Sequence, residues 1–210
     1  MDKFIVVAGN IGAGKSTLVD LLSKELALTP FFEPVSENPY LADFYENMKR
    51  WAFHSQLFYL TRRLRIHRQL LDVQGSVIQD RSVYEDAEIF AKNLFIQGDI
   101  SPRDFGVYQD LFQILITLLP PPDLIIYLKT SVPVLTERIA RRGRNFENEI
   151  PQDYLARLNL LYEDWIAHFK QCPVLIIPTD HLDLVSSAAH MKVVVDMVQE
   201  KLTGSTELKT

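Results

Sequence analysis

The sequence predicts an α/β fold in which five parallel strands form one sheet covered on both faces by helices. Two observations carry this. Five short apolar runs recur along the 210 residues, and long amphipathic segments separate them. Strands that alternate with helices build parallel sheets buried on both sides. The unusual residues Gly9, Glu33, Asp80 and Arg81 also gather at the carboxyl ends of the runs, where such sheets hold ligands.

Taken in order, the first strand is expected over Lys3–Ala8, and the glycine-rich stretch "GNIGAGKST" follows it at once. The stretch contains G-x-x-x-x-G-K-[ST] as Gly9, Gly14, Lys15 and Ser16. It lies between a strand and a helix expected over Ser16–Leu28, the context this phosphate-binding motif requires. Its glycines let backbone N–H groups approach phosphate oxygens, and the helix N-terminus adds positive potential. Gly9, Asn10, Ile11, Gly12, Ala13, Gly14, Lys15, Ser16 and Thr17 are therefore expected to hold ATP or GTP. Lys15 would reach the β and γ phosphates, and Ser16 would contribute its hydroxyl to Mg²⁺.

The second strand, Pro30–Glu33, ends in a carboxylate after two phenylalanines. An acid at the tip of an apolar strand is unfavourable where it loses water, so Glu33 reads either as a solvated strand end or as a base awaiting a proton. A helix over Trp51–Leu71 precedes the third strand, Val77–Asp80, which should lie beside the first. An acid at that strand end fits a Mg²⁺ position, direct or through water, so Asp80 joins Ser16 as a metal candidate. Helices follow over Val83–Gln97 and Ser101–Leu119. The fourth strand is Leu124–Leu128, succeeded by a helix over Val132–Arg141 that Gly143 should stop. A helix over Gln152–Lys170, a fifth strand over Val174–Ile177 and a helix over Ser186–Leu202 complete one domain, residues 1–202. Residues 203–210 are expected to form a fraying tail.

Composition excludes several classes. Hydrophobic residues make up 47% of the chain, enough for one full core. The net charge of −5 disfavours non-specific nucleic-acid binding. The apolar run from Ile114 to Pro122 is too short to span a bilayer, so no membrane partner is expected. Cys172 is the single cysteine, and no signal peptide opens the sequence. A reducing, cytoplasmic setting is therefore expected. His54, His67, His168, His181 and His190 show no metal-ligand spacing.

Phosphate-loop proteins include binding switches and phosphoryl-transfer enzymes. Asp72 and Gly75 match D-x-x-G formally, but they precede a strand, and N-K-x-D occurs nowhere. The switch class is therefore disfavoured. "RIARRGRNFENE" supplies Arg138, Arg142 and Arg144 at a glycine-broken helix end. Such a segment is expected to close as a lid and place guanidinium groups on developing charge. Gln56 and Arg63 lie seven residues apart on one helix face. With Asp86 they form a planar polar set suited to the edge of a nucleobase.

On "GNIGAGKST", "FEPV", "RWAFHSQ", "DRSVYEDAEIFAKNLF", "YQD", "LIIYLKTS" and "RRGRNFENEIPQDYL", nearly the whole chain resembles the deoxynucleoside kinase family. That family phosphorylates the 5′-hydroxyl of deoxynucleosides with a nucleoside triphosphate, has a five-stranded parallel sheet on a P-loop NTPase fold, and is usually dimeric. The resemblance implies ATP and Mg²⁺ as cofactors and a homodimer. It implies Glu33 as the carboxylate that accepts the 5′-hydroxyl proton, and Arg81 as the arginine that steadies it and the phosphates. Tyr45 and Glu147 would bind the 3′-hydroxyl. Gln56, Arg63 and Asp86 would read the base and Phe90 would stack on it. Arg138, Arg142 and Arg144 would form the lid, and the segment near Asp180 would pack on the donor's adenine.

There are departures. Asp80 stands where several members carry Glu, the stretch between Val35 and Trp51 is shorter than in the animal enzymes, and Tyr59 falls near the expected base site. Asp86 with Arg63 argues against thymidine. Purine deoxynucleosides, deoxyadenosine first, are the expected acceptors, with deoxycytidine the next candidate. A nucleoside monophosphate kinase remains the alternative enzyme, although Tyr45 and Glu147 suit a neutral sugar rather than an acceptor phosphate.

Overall fold

A computed structural model describes residues 2–32, 37–144 and 150–204. Its centre is a five-stranded, all-parallel sheet in the order β2-β3-β1-β4-β5. The strands are β1 (Phe4–Gly9), β2 (Thr29–Phe31), β3 (Val77–Asp80), β4 (Leu124–Lys129) and β5 (Val174–Pro178). All six residues of β1 and all four of β3 are buried, as expected where helices cover both faces.

Alternation along the strands feeds two apolar layers. Phe4, Val6, Ala8, Val77, Ile125 and Tyr127 pack toward α3 (Met48–Leu71), α6 (Pro102–Leu118) and α8 (Gln152–His168). Ile5, Val7, Ile78, Leu124, Ile126 and Leu128 pack toward α1 (Lys15–Glu25) and α9 (Ala188–Thr203). The register pairs Val7 with Asp80 and Ile126. Asp80, the end of β3, therefore lies level with Val7, two residues before β1 ends and the phosphate loop begins.

Several expected boundaries shift. The second strand stops at Phe31, so the expectation that Glu33 ends it falls on a residue outside those described. A six-residue helix, α2 (Leu41–Glu46), was not expected. The helix expected over Val83–Gln97 divides into α4 (Val83–Glu85), a π-helical segment (Asp86–Ala91) and α5 (Lys92–Ile96). Before α8 stands α7 (Val132–Arg142), which carries Arg138 and Arg142 and ends at Gly143 with φ +67° as its glycine stop requires. The last helix runs to Thr203 and closes on Gly204, one residue into the expected tail. No described helix is long and apolar enough to cross a membrane.

Candidate active site

The phosphate loop is fixed from beneath. Asn10 turns its side chain away from both neighbouring cavities. Its Nδ2 donates to the Leu155 carbonyl at 2.9 Å and to Asn159 Oδ1 at 2.8 Å on α8, and its Oδ1 accepts from the Ile11 N–H at 2.7 Å. Asn10 therefore shapes the loop from below. Gly14 caps α1 with φ +99°, a left-handed conformation open to glycine at little cost. The tightest approach is at Gly12, where a Cβ would meet Ile139 Cγ1 at 2.9 Å and the Leu135 carbonyl at 3.0 Å. Loop and α7 therefore touch at a position the motif leaves unspecified.

Lys15 is 7% exposed and its Nζ donates to the Asn10 carbonyl at 2.9 Å. Ser16 Oγ donates to Asp80 Oδ2 at 2.5 Å. The other oxygen of Asp80, Oδ1, is buried with no hydrogen-bond partner among the described residues. A hydroxyl and a carboxylate with one orphaned oxygen are hard ligands of the kind a Mg²⁺ ion takes alongside water, so these two residues fit the ion. Among the described residues no cluster of three His, Cys, Asp or Glu side chains suits a metal.

Arg63 engages a carboxylate and the backbone at once. Its Nε donates to Asp86 Oδ2 at 3.0 Å and its Nη2 to Asp86 Oδ1 at 3.3 Å, while Nη1 donates to the carbonyls of Asp80 and Arg81 at 3.0 Å each. The pair is almost fully buried, at 2% and 3% side-chain exposure. The fork thereby grips the end of β3, where Arg81 turns with φ +66°, a conformation unfavourable by about 1–2 kcal/mol for a residue with a Cβ. Gln56, two turns earlier on α3, is buried with no partner for Oε1 among the described residues. The Arg81 guanidinium lies over the Phe90 ring at 4.3 Å.

Two cavities open here. One is lined by Gln56, Tyr59, Asp86, Phe90, Tyr45 and Tyr154, together with Asp80 and Arg81. The other is lined by Ala13, Gly14, Thr17, Arg138, Arg141, Thr179, Asp180 and the loop after β5. Gly12, Lys15, Ser16, Arg142 and Arg144 line both. The phosphate loop and two arginines thus stand where the cavities meet.

Arg138, expected in a lid with Arg142 and Arg144, lines the second cavity but not the first. Its Nη1 donates to the Ala13 carbonyl at 3.1 Å and to Thr179 Oγ1 at 3.2 Å, and its Nη2 to the Thr179 carbonyl at 2.8 Å. It braces the loop against the end of β5. Asp180 accepts the Ser131 N–H at 2.9 Å, and that bond holds its carboxyl below the usual range. Glu33 and Glu147 lie outside the described residues.

Three residues of the site were missed. Tyr154 lines the first cavity, and burial pushes its hydroxyl up to about 12, so it remains a donor. Glu85 and Tyr162 are buried beneath the loop. Ser82 and Glu85 form a capping box at the start of α4, and S-x-x-E is a readable signal for one. Nothing in the sequence marks Tyr162.

The deoxynucleoside kinase family model matches residues 5–203. A deoxyadenosine/deoxycytidine kinase from Bacillus subtilis is 36% identical over 199 residues, spanning 94% of this chain and 92% of that one. A deoxyguanosine kinase from Lactobacillus johnsonii is 36% identical over 207 residues, 94% of this chain and 92% of that one. Among solved structures, a deoxyadenosine kinase from M. mycoides with the products dCMP and a flexible dCDP superposes with TM-score 0.82 at 31% identity, covering 96% of this chain and 99% of that one.

Proposed function

The chain belongs to the deoxynucleoside kinase family, and from that premise we propose that it moves the γ-phosphoryl group of ATP to the 5′-hydroxyl of a purine deoxynucleoside, deoxyadenosine first, in deoxynucleotide salvage. The observation that carries this reading is the junction of the two cavities on Lys15, Ser16, Arg142 and Arg144. A donor in one cavity and an acceptor in the other would meet only there. In-line transfer needs little covalent help from the protein; positioning and charge stabilisation suffice.

In this reading, Lys15 and the loop N–H groups hold the donor phosphates. Ser16 and Asp80 hold Mg²⁺, which when bound neutralises phosphate charge. Gln56, Asp86 and Arg63 read the base, Phe90 supports its ring, and Tyr45 with Glu147 receives the sugar. Glu33 takes the 5′-hydroxyl proton. Arg81 and the lid arginines Arg142 and Arg144 meet the charge on the moving phosphoryl group. Arg138 and Asp180 serve the donor side by bracing the loop and the start of α7.

The test is a phosphorylation assay with ATP, Mg²⁺ and each of the four common deoxynucleosides. Deoxyadenosine is expected to give the highest kcat/KM and thymidine the lowest, and thymidine as the best substrate would overturn the base assignment. Phosphorylation of dAMP but of no deoxynucleoside would instead support the monophosphate kinase alternative. In the same assay Arg142→Ala and Arg144→Ala are expected to lower kcat more than they raise the KM for ATP, because their charge acts chiefly in the transition state. A rise in the KM for ATP at unchanged kcat would remove them from that role.

Val107, Ile114 and Leu118 form an exposed apolar row on α6, at 58%, 59% and 68% exposure. This row supports a homodimer through α6. Light scattering is expected to give close to twice the chain mass of 24.2 kDa; a monomer mass at working concentration would exclude it.

A further inference from the structure

Beneath the phosphate loop lies a polar group that lines neither cavity. Glu85, the last residue of α4, and Tyr162, midway along α8, are both 0% exposed. The Gly9 peptide is held at both ends. Its N–H donates to Glu85 Oε1 at 3.2 Å, and its carbonyl accepts from the Tyr162 hydroxyl at 2.8 Å. The same hydroxyl lies 2.8 Å from Glu85 Oε1 and accepts from Arg81 Nη1 at 2.8 Å. Arg81 also reaches Glu85 directly at 3.4 Å, and the second carboxylate oxygen accepts the Ser82 N–H at 2.9 Å. Three separate segments meet here: the end of β1, the turn after β3 and the middle of α8.

A fully buried carboxylate is expensive unless it is hydrogen-bonded and paired. Glu85 meets both conditions through Gly9, Ser82, Tyr162 and Arg81. Burial raises its carboxyl, while Arg81 and Lys15 pull it back down. Burial also holds the Tyr162 hydroxyl well above its ordinary value, so it remains a proton donor. The arrangement is costly for a structural tie and it touches no cavity, but it joins the two groups whose separation matters most. Gly9 begins the donor cradle. Arg81 lines the acceptor cavity and lies on Phe90.

We propose that Glu85 and Tyr162 are positioning residues for phosphoryl transfer, a buried clamp that sets the phosphate loop against Arg81 and so fixes the donor cradle relative to the acceptor site. The proposal rests on the kinase reading above. A clamp of this kind acts on reaction geometry rather than on either substrate's affinity. A displacement of about 1 Å at a reacting centre lowers rate by as much as 10²-fold.

Tyr162→Phe tests it. The ring keeps its stacking on Tyr127, at 5.5 Å between centroids, and its edge contact with Trp165, so the fold is expected to survive. With ATP and deoxyadenosine, kcat is expected to fall about tenfold or more while both KM values stay within about threefold. Glu85→Gln is expected to behave alike. The Glu85→Gln/Tyr162→Phe double variant should lie within about threefold of the poorer single variant, since residues acting as a unit are not additive.

An unchanged kcat in Tyr162→Phe, a loss confined to KM, or multiplicative losses in the double variant would overturn the clamp. If Tyr162→Phe does not fold, Glu85→Gln carries the same comparison, and failure of both to fold assigns the network to stability and overturns the proposal. A wild-type protein that phosphorylates no deoxynucleoside overturns the kinase reading and the clamp together. Active wild type with unaffected variants overturns the clamp alone.

Discussion

Glu33→Gln is expected to lower kcat by about 10²–10⁴, the usual consequence of losing a general base, while deoxynucleoside affinity measured by calorimetry stays within about an order of magnitude. The amide keeps the shape of the acid and its capacity to accept a hydrogen bond, but it cannot take the proton of the 5′-hydroxyl. Near-normal turnover in Glu33→Gln would remove it from the mechanism.

The second large effect is expected at Arg63. Arg63→Met leaves the buried Asp86 carboxylate without its guanidinium and the carbonyls of Asp80 and Arg81 without their donor. Removing one partner of a buried ion pair typically destabilises by about 3–5 kcal/mol, roughly 6–20 °C in melting temperature for a chain of this size. The Arg63→Met/Asp86→Ala double variant should recover the part due to the stranded charge but not the part due to the two carbonyls. Thermal unfolding of both variants measures this. Strictly additive losses from Arg63→Met and Asp86→Ala would show that the two side chains do not act as a unit. The double variant also tests specificity. A carboxylate only accepts hydrogen bonds, so it suits an exocyclic amine or ring N–H. A thymine methyl set against it forfeits about 1–3 kcal/mol, or roughly 5–150-fold. Relative activity on thymidine should therefore rise when Asp86 and Arg63 are both replaced, and no rise would show that they do not exclude it.

Legibility differed sharply between features. The order of strands and long helices could be read because the central runs β1, β3 and β4 bury nearly all their residues and the edge runs are still apolar, and Gly9 to Thr17 announced a phosphate loop by letter and by flank. Features that depend on contact between distant segments could not be read. The segment Leu41–Glu46 is too short for a helical period to emerge. The π-helical widening over Asp86–Ala91 has no compositional mark. Arg138 sat in a pattern of arginines that looked uniform, yet Thr179 and Ala13, far away in sequence, engage its guanidinium. Asn10 matched the motif by position, but its side chain serves α8. Glu85 left a trace in S-x-x-E; its second task, under Gly9, is visible only once β1 and α8 are side by side.

The double engagement of Arg63 bears on how this pocket would respond to laboratory evolution. The side chain that holds Asp86 at the first cavity also holds the end of β3, so under the proposed base assignment substrate range and folding would draw on the same fork. Screens for altered base preference that begin from the wild-type sequence will lose many pocket variants to unfolding before their activity is seen. A parent first stabilised elsewhere, for instance on the exposed faces of α9, should tolerate more substitutions at Arg63 and Asp86, since natural chains stand only a little above their stability threshold. New specificity in this protein is then limited less by the chemistry the cavity permits than by the reserve of stability available when the cavity is changed.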